Sequence, residues 1–291
     1  MIVIAGHAQG LICRSIASVL LVLPGPKRFV SARQFVKPPN ETGVEQRVVN
    51  VRVAHDASHA LDGARSLVLV ANMESEHTEL QLALASAART AGIEKLVLVT
   101  LIGADANSPV EILRRLGQVE RAVRESGVAH VILRCAPFMQ SLRFFMQVEE
   151  WSLALSGPFR DAYFHWIDAR DVGDIVASLL QGPLDNTVKQ LCGPEPLNFD
   201  AIAAILCDCA KCDCAFNDLS APQAQGVLEG AGISSENARA LVEYWDYIVS
   251  GVVSTTPCDT ARKLLGHPLR TLAQCAPTII PRRDSLRESR I

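Results

Sequence analysis

The chain has 291 residues, of which 49% are hydrophobic and 20% charged, and its formal net charge at pH 7 is −3. This composition is typical of a globular protein with a large core, and the weak negative charge without a basic stripe argues against a nucleic-acid partner. The apolar stretch near the N-terminus is too short to span a bilayer, and no secretory signal precedes the first strand-like segment, so we expect a soluble, cytoplasmic protein.

The first half of the chain alternates between strand-like and helix-like segments. The predicted strands are MIVIAG, KRFVSAR, QRVVNVRV, SLVLVAN, KLVLVTLIG and HVILRC. The predicted helices are LICRSIASVLLVL, a short DASHALDGA capped by Asp56, HTELQLALASAARTAG with a stop at Gly92, and VEILRRLGQVERAVRESG. The run SLVLV is apolar throughout, which is typical of a strand buried on both faces of a parallel sheet. The alternation predicts an α/β fold, a Rossmann-like doubly wound parallel sheet.

The regular alternation of strands and helices ends after Arg134, where aromatic and helical segments follow. We predict a dinucleotide-binding domain over residues 1–134. A small, mostly helical substrate lobe over residues 135–280 is interleaved with the last elements of the sheet, including a helix that starts near Asp171. The polar segment 281–291 is predicted to be a flexible tail.

The segment IAGHAQGLICRS follows the first predicted strand and opens the first predicted helix. Glycines at this place let backbone N–H groups approach a pyrophosphate, which the helix N-terminus also attracts. Gly6 and Gly10 are present, but Ile12 or Cys13 stands where a third glycine would let the helix pack closely on the sheet. We expect a dinucleotide to contact the loop and strand-end residues Gly6, His7, Gly10, Leu11, Ile12, Arg33, Ala71, Asn72, Thr100 and Pro137.

Arg33 directly follows the second predicted strand, where a side chain reaches the adenosine ribose. An acid there would bind the 2′-hydroxyl of NAD, whereas an arginine pairs with the 2′-phosphate of NADP. No acid competes for the place, so NADP(H) is favoured over NAD(H). The alternative is an arginine that is simply solvated at the surface.

Nine cysteines in a chain of this size argue for reduced thiols rather than a disulfide framework. Four of them crowd into CDCAKCDC, which suggests a soft-metal site as one interpretation. The other interpretation is a helix that passes through a short turn into a strand. On a helix, Cys207 and Cys209 point about 200° apart and would not converge on one metal ion, so we predict no metal.

The order of segments resembles the NmrA-like branch of the atypical short-chain dehydrogenases/reductases, which includes bacterial quinone reductases and fungal ergot-alkaloid reductases. The likeness is carried by IAGHAQG, DASHALDGARSLVLV, IEKLVLVTLIGAD, GQVERAVRESGVAHVILRCAPFMQSL, FHWIDARDVGDIVASLL and LCGPEPLNFDAIAAIL, and it runs to about Pro277. The resemblance implies a Rossmann fold with a small substrate lobe and an NAD(P) site.

The chain departs from the pattern of that family at several places. Family members often carry an acid that meets the adenine, where Val53 stands here. The catalytic lysine of phenylcoumaran-type reductases aligns with Leu116, and the Tyr-x-x-x-Lys pair of classical members is absent from the sequence. Thr100 takes the place of a serine after the fifth strand and retains a hydroxyl that can donate to a substrate oxygen.

The sequence therefore favours an NAD(P)H-dependent reductase of a small organic molecule such as a quinone, enone or imine. Two alternatives keep the fold: a non-redox cyclase or isomerase with an eroded cofactor site, and an NADP-sensing protein without turnover. The candidate catalytic residues are Thr100, Tyr163, His165 and Tyr244. The aromatic candidates and His165 have a second interpretation as packing between the two lobes.

Overall fold

The computed structural model describes residues 1–7, 10–32, 44–53, 55–71, 74–148, 152–159, 161–251 and 259–280. Its centre is a seven-stranded parallel sheet with the strand order β10-β6-β5-β4-β1-β2-β3. The strands are β1 Ile2–Ala5, β2 Lys27–Ser31, β3 Val44–Val48, β4 Ser66–Val70, β5 Lys95–Leu101, β6 Ala129–Cys135 and β10 Thr187–Leu191. From β1 the chain adds β2 and β3 toward one edge of the sheet, and it then adds β4, β5 and β6 toward the other edge. The strand order therefore reverses between β1 and β4. The predicted Rossmann-like sheet is confirmed.

Helices cover both faces of this sheet because alternate residues of its strands point to opposite sides. Val68 and Val70 of β4 join a core with α1 (Leu11–Leu21) and α5 (Ala169–Gln181). Leu67 and Leu69 join a second core on the other face. That core includes residues of α2 (Asp56–Ala60), α3 (Ser75–Ala87) and α4 (Glu111–Glu125), while α9 (Thr260–Leu265) packs against α5.

The chain beyond β6 builds a lobe over the carboxyl edge of the sheet. Its elements are a 3-10 helix Met139–Phe145, β7 Met146–Val148, β8 Ser152–Gly157, β9 Phe164–His165, β11 Pro196–Leu197, α6 Phe199–Ala210, β12 Asp213–Asp218, α7 Ala221–Gly230, α8 Ser235–Val249 and α10 Leu272–Ile279. β12, β8 and β7 form a small sheet, and β11 pairs with β9. Between these elements, α5 and β10 return to the main sheet.

Packed aromatic rings form the core of the lobe. Phe159 stacks on Phe199 with ring centroids 3.7 Å apart, and Trp166 stacks on Trp245 at 5.5 Å. Phe145 meets Phe159 edge-on at 4.8 Å. Such rings fix the lobe as a rigid body because each one removes a large apolar area from water.

Three predicted boundaries were wrong by a few residues. Asp56 is the first residue of α2 rather than its N-cap; His55 is the cap, with φ of 70°, and the Asp56 carboxylate accepts the Asn50 N–H at 2.7 Å. α5 begins at Ala169, before the predicted Asp171, because the buried Asp168 carboxylate accepts the Arg170 N–H at 2.8 Å. α3 ends at Ala87, and Gly92 with φ of 80° lies in the turn that follows it.

Within the described residues, no helix combines the length and the apolar character that crossing a membrane requires.

Candidate active site

A cavity of about 160 Å³ lies at the carboxyl edge of the sheet, where the lobe covers the ends of the strands. The ends of β4 and β5 and the start of α1 form one side, and the 3-10 helix and α8 form the other. The lining residues are His7, Gly10, Leu11, Ile12, Cys13, Val70, Ala71, Val99, Thr100, Leu101, Leu116, Pro137, Phe138, Ser141, Phe144, Phe145, Leu241, Tyr244 and Trp245. This is the edge where open α/β sheets bind their ligands.

The glycine loop joins β1 to α1 beside this cavity. A Cβ on Gly6 would lie 2.8 Å from the Cys13 Sγ and 3.1 Å from the Val70 carbonyl oxygen. Glycine is therefore the residue that fits at this position without a shift of its neighbours. Cys13 is the residue at the place of the missing third glycine, and its buried thiol fills the space beneath Gly6. Burial raises the pKa of this thiol to about 12, which keeps it protonated and suited to packing.

Gly10 is the N-cap of α1, and its N–H donates to the His7 carbonyl oxygen at 2.9 Å. No side chain of the described residues caps this helix. The first N–H groups of α1 therefore point from the helix end without a side-chain acceptor, which is the arrangement that binds the phosphates of a dinucleotide. The loop fits such a group although its third glycine is missing.

Three buried polar groups of the cavity residues have no hydrogen-bond partner among the described residues. They are the Thr100 Oγ1, the Tyr244 hydroxyl and the Trp245 Nε1. The side chains are 1%, 3% and 2% exposed, respectively, in surroundings where polar atoms are nearly always paired. Most of the other lining side chains are apolar, so these three groups are available to hydrogen-bond a ligand.

Burial raises the pKa of the Tyr244 hydroxyl above its ordinary value, and the nearby Cys135 adds to the effect. Tyr244 therefore stays protonated at neutral pH and is a hydrogen-bond donor. Leu116 of α4, which takes the place of a lysine in one related group of reductases, lines the same cavity. The next residue, Gly117, packs directly against the backbone at Ala106, since a Cβ on Gly117 would lie 2.0 Å from the Ala106 nitrogen. This close packing of α4 fixes the position of Leu116.

The structure brings two of the four predicted catalytic residues together. Thr100 and Tyr244 line the cavity, but Tyr163 and His165 do not. Tyr163 is 60% exposed, and His165 is buried on β9, where its carbonyl oxygen accepts the Gly193 N–H at 2.9 Å.

Most of the predicted cofactor contacts reach the cavity. They are His7, Gly10, Leu11, Ile12, Ala71, Thr100 and Pro137, while Gly6 supports the loop from beneath. Arg33 and Asn72 lie outside the described residues. The sequence analysis missed Ser141, Leu241 and Trp245, of which Trp245 was accessible to it as the direct neighbour of Tyr244.

A histidine pair beside the loop was also missed. The buried His77 ring meets the His7 ring edge-on with centroids 5.3 Å apart. Its Nδ1 lies 3.2 Å from the Glu74 Oε2, and its Nε2 lies 3.4 Å from the Ser31 Oγ at the end of β2. The Glu74 and His77 spacing at the start of α3 was the signal that could have found this contact. The pair links the loop after β1 to the end of β2 and the start of α3.

A buried carboxylate holds the 3-10 helix against α5. Asp168 accepts from the Gln140 Nε2 at 2.8 Å, and the Gln140 Oε1 accepts the Ala169 N–H at 2.9 Å. Burial favours a higher pKa for Asp168, but hydrogen bonds from Arg170 and Gln140 hold its pKa below the ordinary value. Gln140 precedes Ser141 in the cavity wall, so this link positions that wall.

The predicted helix, turn and strand through the cysteine segment are confirmed. α6 ends at Ala210, Lys211 turns the chain with φ of 52°, and β12 follows from Asp213. Across the part of the chain that the structure describes, no group of three or more His, Cys, Asp or Glu side chains is arranged to hold a metal ion.

Comparison with known proteins gives a consistent result. The model of the NmrA-like family matches residues 4–205. The chain is 30% identical over 243 residues to an NAD(P)H azoreductase from Xenophilus azovorans, which covers 81% of this chain and 83% of that protein. It is 29% identical over 201 residues to a (4-alkanoyl-5-oxo-2,5-dihydrofuran-3-yl)methyl phosphate reductase from Streptomyces griseus, covering 68% of this chain and 69% of the relative.

The same fold occurs in a solved structure of triphenylmethane reductase from Citrobacter sp. complexed with NADP(H). The TM-score is 0.77 at 19% identity, over 96% of this chain and 100% of that one.

Proposed function

The chain belongs to the NmrA-like family, and we propose that it is an NAD(P)H-dependent reductase of small, flat, uncharged organic acceptors. One observation carries the proposal. Two buried hydroxyls without partners among the described residues, those of Thr100 and Tyr244, belong to a mostly apolar cavity beside a glycine loop at the carboxyl edge of the sheet. The relatives named for an azo compound and for an oxo-dihydrofuranyl methyl phosphate support the reduction of a small organic acceptor, although the second of these substrates carries a charged phosphate.

The cofactor is held by the elements that meet at this edge. The N–H groups of Leu11 and Ile12 at the start of α1 would bind the pyrophosphate, since the Gly10 N–H already donates to the His7 carbonyl oxygen, and Ala71 and Pro137 flank the inner end of the site. The bound reduced nicotinamide supplies a hydride. We assign NADP(H) rather than NAD(H) because Arg33 follows β2 and a guanidinium pairs with a 2′-phosphate.

The side chains of the cavity orient and polarise the acceptor. Thr100 and Tyr244 donate hydrogen bonds to its nitrogen or oxygen, which draws electron density toward that atom as reduction proceeds. Phe138, Phe144 and Leu116 favour a flat conjugated molecule. With a leucine at position 116, we assign the Tyr244 hydroxyl to donate a hydrogen bond to the reduced atom, and water delivers the proton.

The first test is a titration of purified protein with NADPH and NADH, followed by tryptophan fluorescence, since Trp245 lines the cavity. We expect NADPH to bind and Arg33→Ala to weaken it by about tenfold to a hundredfold, with little effect on NADH. Arg65→Ala is the control, because the Arg65 side chain is 75% exposed and forms a surface ion pair with Glu94.

The second test is steady-state reduction of an azo dye by NADPH. Turnover supports the reductase. Binding without turnover on azo, quinone and enone acceptors would overturn it in favour of a sensor, and failure to bind either nucleotide would overturn the cofactor assignment as well.

A further inference from the structure

Two thiols of the cysteine segment, those of Cys207 and Cys214, meet at one backbone carbonyl at the junction of α6 and β12. The Cys207 thiol donates to the Cys212 carbonyl oxygen at 2.8 Å, and the Cys214 thiol lies 3.8 Å from the same oxygen. Both side chains are only partly buried, so small reagents can reach them.

The turn at Lys211 creates this arrangement. Its left-handed backbone folds β12 back against the last turn of α6, which brings two facing elements of the same segment together. Cys209 points elsewhere, since its thiol is exposed and lies 3.9 Å from the Ala273 carbonyl oxygen. The geometry of α6 therefore turns Cys209 away from Cys207.

From this geometry we infer that Cys207 and Cys214 form a disulfide when the protein meets a peroxide, which makes the α6–β12 junction a redox modification site remote from the cavity. A bond between Cys207 and Cys214 joins two packed elements, α6 and β12.

The reaction balances with one hydrogen peroxide. The Cys207 sulfur attacks a peroxide oxygen, the O–O bond breaks, and a sulfenic acid and one water form. The Cys214 sulfur then attacks the sulfenic sulfur, its proton leaves with the departing hydroxide as a second water, and the S–S bond closes. Two thiols lose two protons and two electrons, and the peroxide gains them. Burial and the neighbouring thiols raise the pKa of Cys214 to about 12, which assigns the first attack to Cys207.

The bond can be mapped directly in the full chain. Trypsin cleaves after Lys211, so Cys207 and Cys214 fall in separate peptides, 190–211 and 212–239. After one equivalent of hydrogen peroxide and alkylation of the remaining thiols, mass spectrometry should find these two peptides cross-linked through Cys207 and Cys214. We expect this link to exceed any link through Cys209 by roughly tenfold.

Single variants decide the pairing. Cys207→Ser and Cys214→Ser should each abolish the cross-link, and Cys209→Ser, the matched control in the same peptide, should leave it intact, as should Cys212→Ser. A cross-link that survives Cys214→Ser, a link through Cys209 as abundant as the link through Cys207, or uncross-linked peptides in the oxidised wild-type protein would overturn the inference. The peptide mapping of the oxidised wild-type protein tests the inference even if a variant fails to fold.

Discussion

At the scale of single residues, the candidate site is defined by polar groups that the fold leaves unsatisfied. An unpaired hydroxyl in a buried site costs free energy of folding, on the order of 1–3 kcal/mol. The Thr100 and Tyr244 hydroxyls both bear this cost in the free protein. Such residues are typical of binding sites, where a ligand supplies the missing partner.

Removing these hydroxyls should therefore stabilise the protein and impair its chemistry. We expect Tyr244→Phe and Thr100→Val each to raise the free energy of unfolding by about 1 kcal/mol. Each should lower kcat/KM for an azo dye by roughly tenfold to a hundredfold, because a hydrogen bond to the reacting acceptor is lost. Thermal melting and steady-state kinetics measure the two effects.

Tyr163→Phe is the matched control, since Tyr163 is 60% exposed and lies outside the cavity. Tyr163→Phe should change neither the free energy of unfolding nor kcat/KM. A Tyr244→Phe variant that is less stable than wild type, with unchanged kinetics, would assign Tyr244 to packing.

Protonation of Tyr244 gives a separate prediction. Its pKa is raised by burial, so the neutral, donating form persists at and above the ordinary pKa of a tyrosine. The ratio of kcat/KM between wild type and Tyr244→Phe should accordingly stay constant from about pH 6 to pH 10. A ratio that falls toward one over this range would mean that the hydroxyl ionises with an ordinary pKa.

At the scale of elements, the glycine loop shows how a departure from the usual pattern is accommodated. Cys13 occupies the place of a third glycine, and its thiol fits beneath Gly6 only because Gly6 has no Cβ. The two positions are thus coupled through a single contact.

Gly6→Ala should destabilise the protein by about 1–3 kcal/mol and weaken NADPH binding, because the new methyl group overpacks against the Cys13 thiol. Adding Cys13→Ala should restore part of both losses, since the sulfur that the new methyl group would meet is then gone. Gly182→Ala, at a position with no atom near the new Cβ, is the control. Denaturant unfolding and fluorescence titration provide the measurements, and strictly additive losses in the double variant would contradict the contact.

The two buried carboxylates of α5 should respond to pH in opposite directions. Asp168 has a lowered pKa, so its charge stabilises the fold above the unfolded-state pKa of about 3.9, and this stability is lost as the pH falls through the lower, folded-state value. Burial raises the pKa of Asp171 despite its pairing with Arg270, so its contribution is lost as the pH rises.

Denaturant unfolding of wild type, Asp168→Asn and Asp171→Asn between about pH 3 and pH 7 separates these effects. The stability advantage of wild type over Asp168→Asn should grow with pH, and its advantage over Asp171→Asn should shrink. Parallel trends for the two variants would contradict the assignment of their pKa shifts.

The sequence predicted the central elements well because each strand carries a strong local signal. SLVLV and KLVLVTL are apolar almost throughout, and buried parallel strands require this. Local signals could not predict that Gln140 would bind Asp168, since 28 residues separate them and the contact depends on how the lobe folds back. The cap of α2 was misassigned because His55 adopts a left-handed conformation, which is uncommon for any residue other than glycine and leaves no local signal in the sequence.

At the scale of the whole molecule, the cavity lies between two hydrophobic cores. One core belongs to the sheet and its helices, and the other is the aromatic core of the lobe. Strand order and loop spacing predict the first side of the cavity, including Thr100 and the loop. The second side depends on lobe packing, which is why Tyr244 and Tyr163 were equivalent candidates in the sequence and occupy different environments in the structure.

The central claim is that this cavity brings a reduced nicotinamide and an organic acceptor together. Its most direct test is a single-turnover experiment in which NADPH-loaded protein is mixed rapidly with one equivalent of a quinone, and the absorbance of the reduced nicotinamide is followed. The account predicts one NADPH oxidised per quinone reduced, with a slower step in Tyr244→Phe at unchanged NADPH affinity. Bound NADPH that is not oxidised, or an equal rate in the variant, would contradict it.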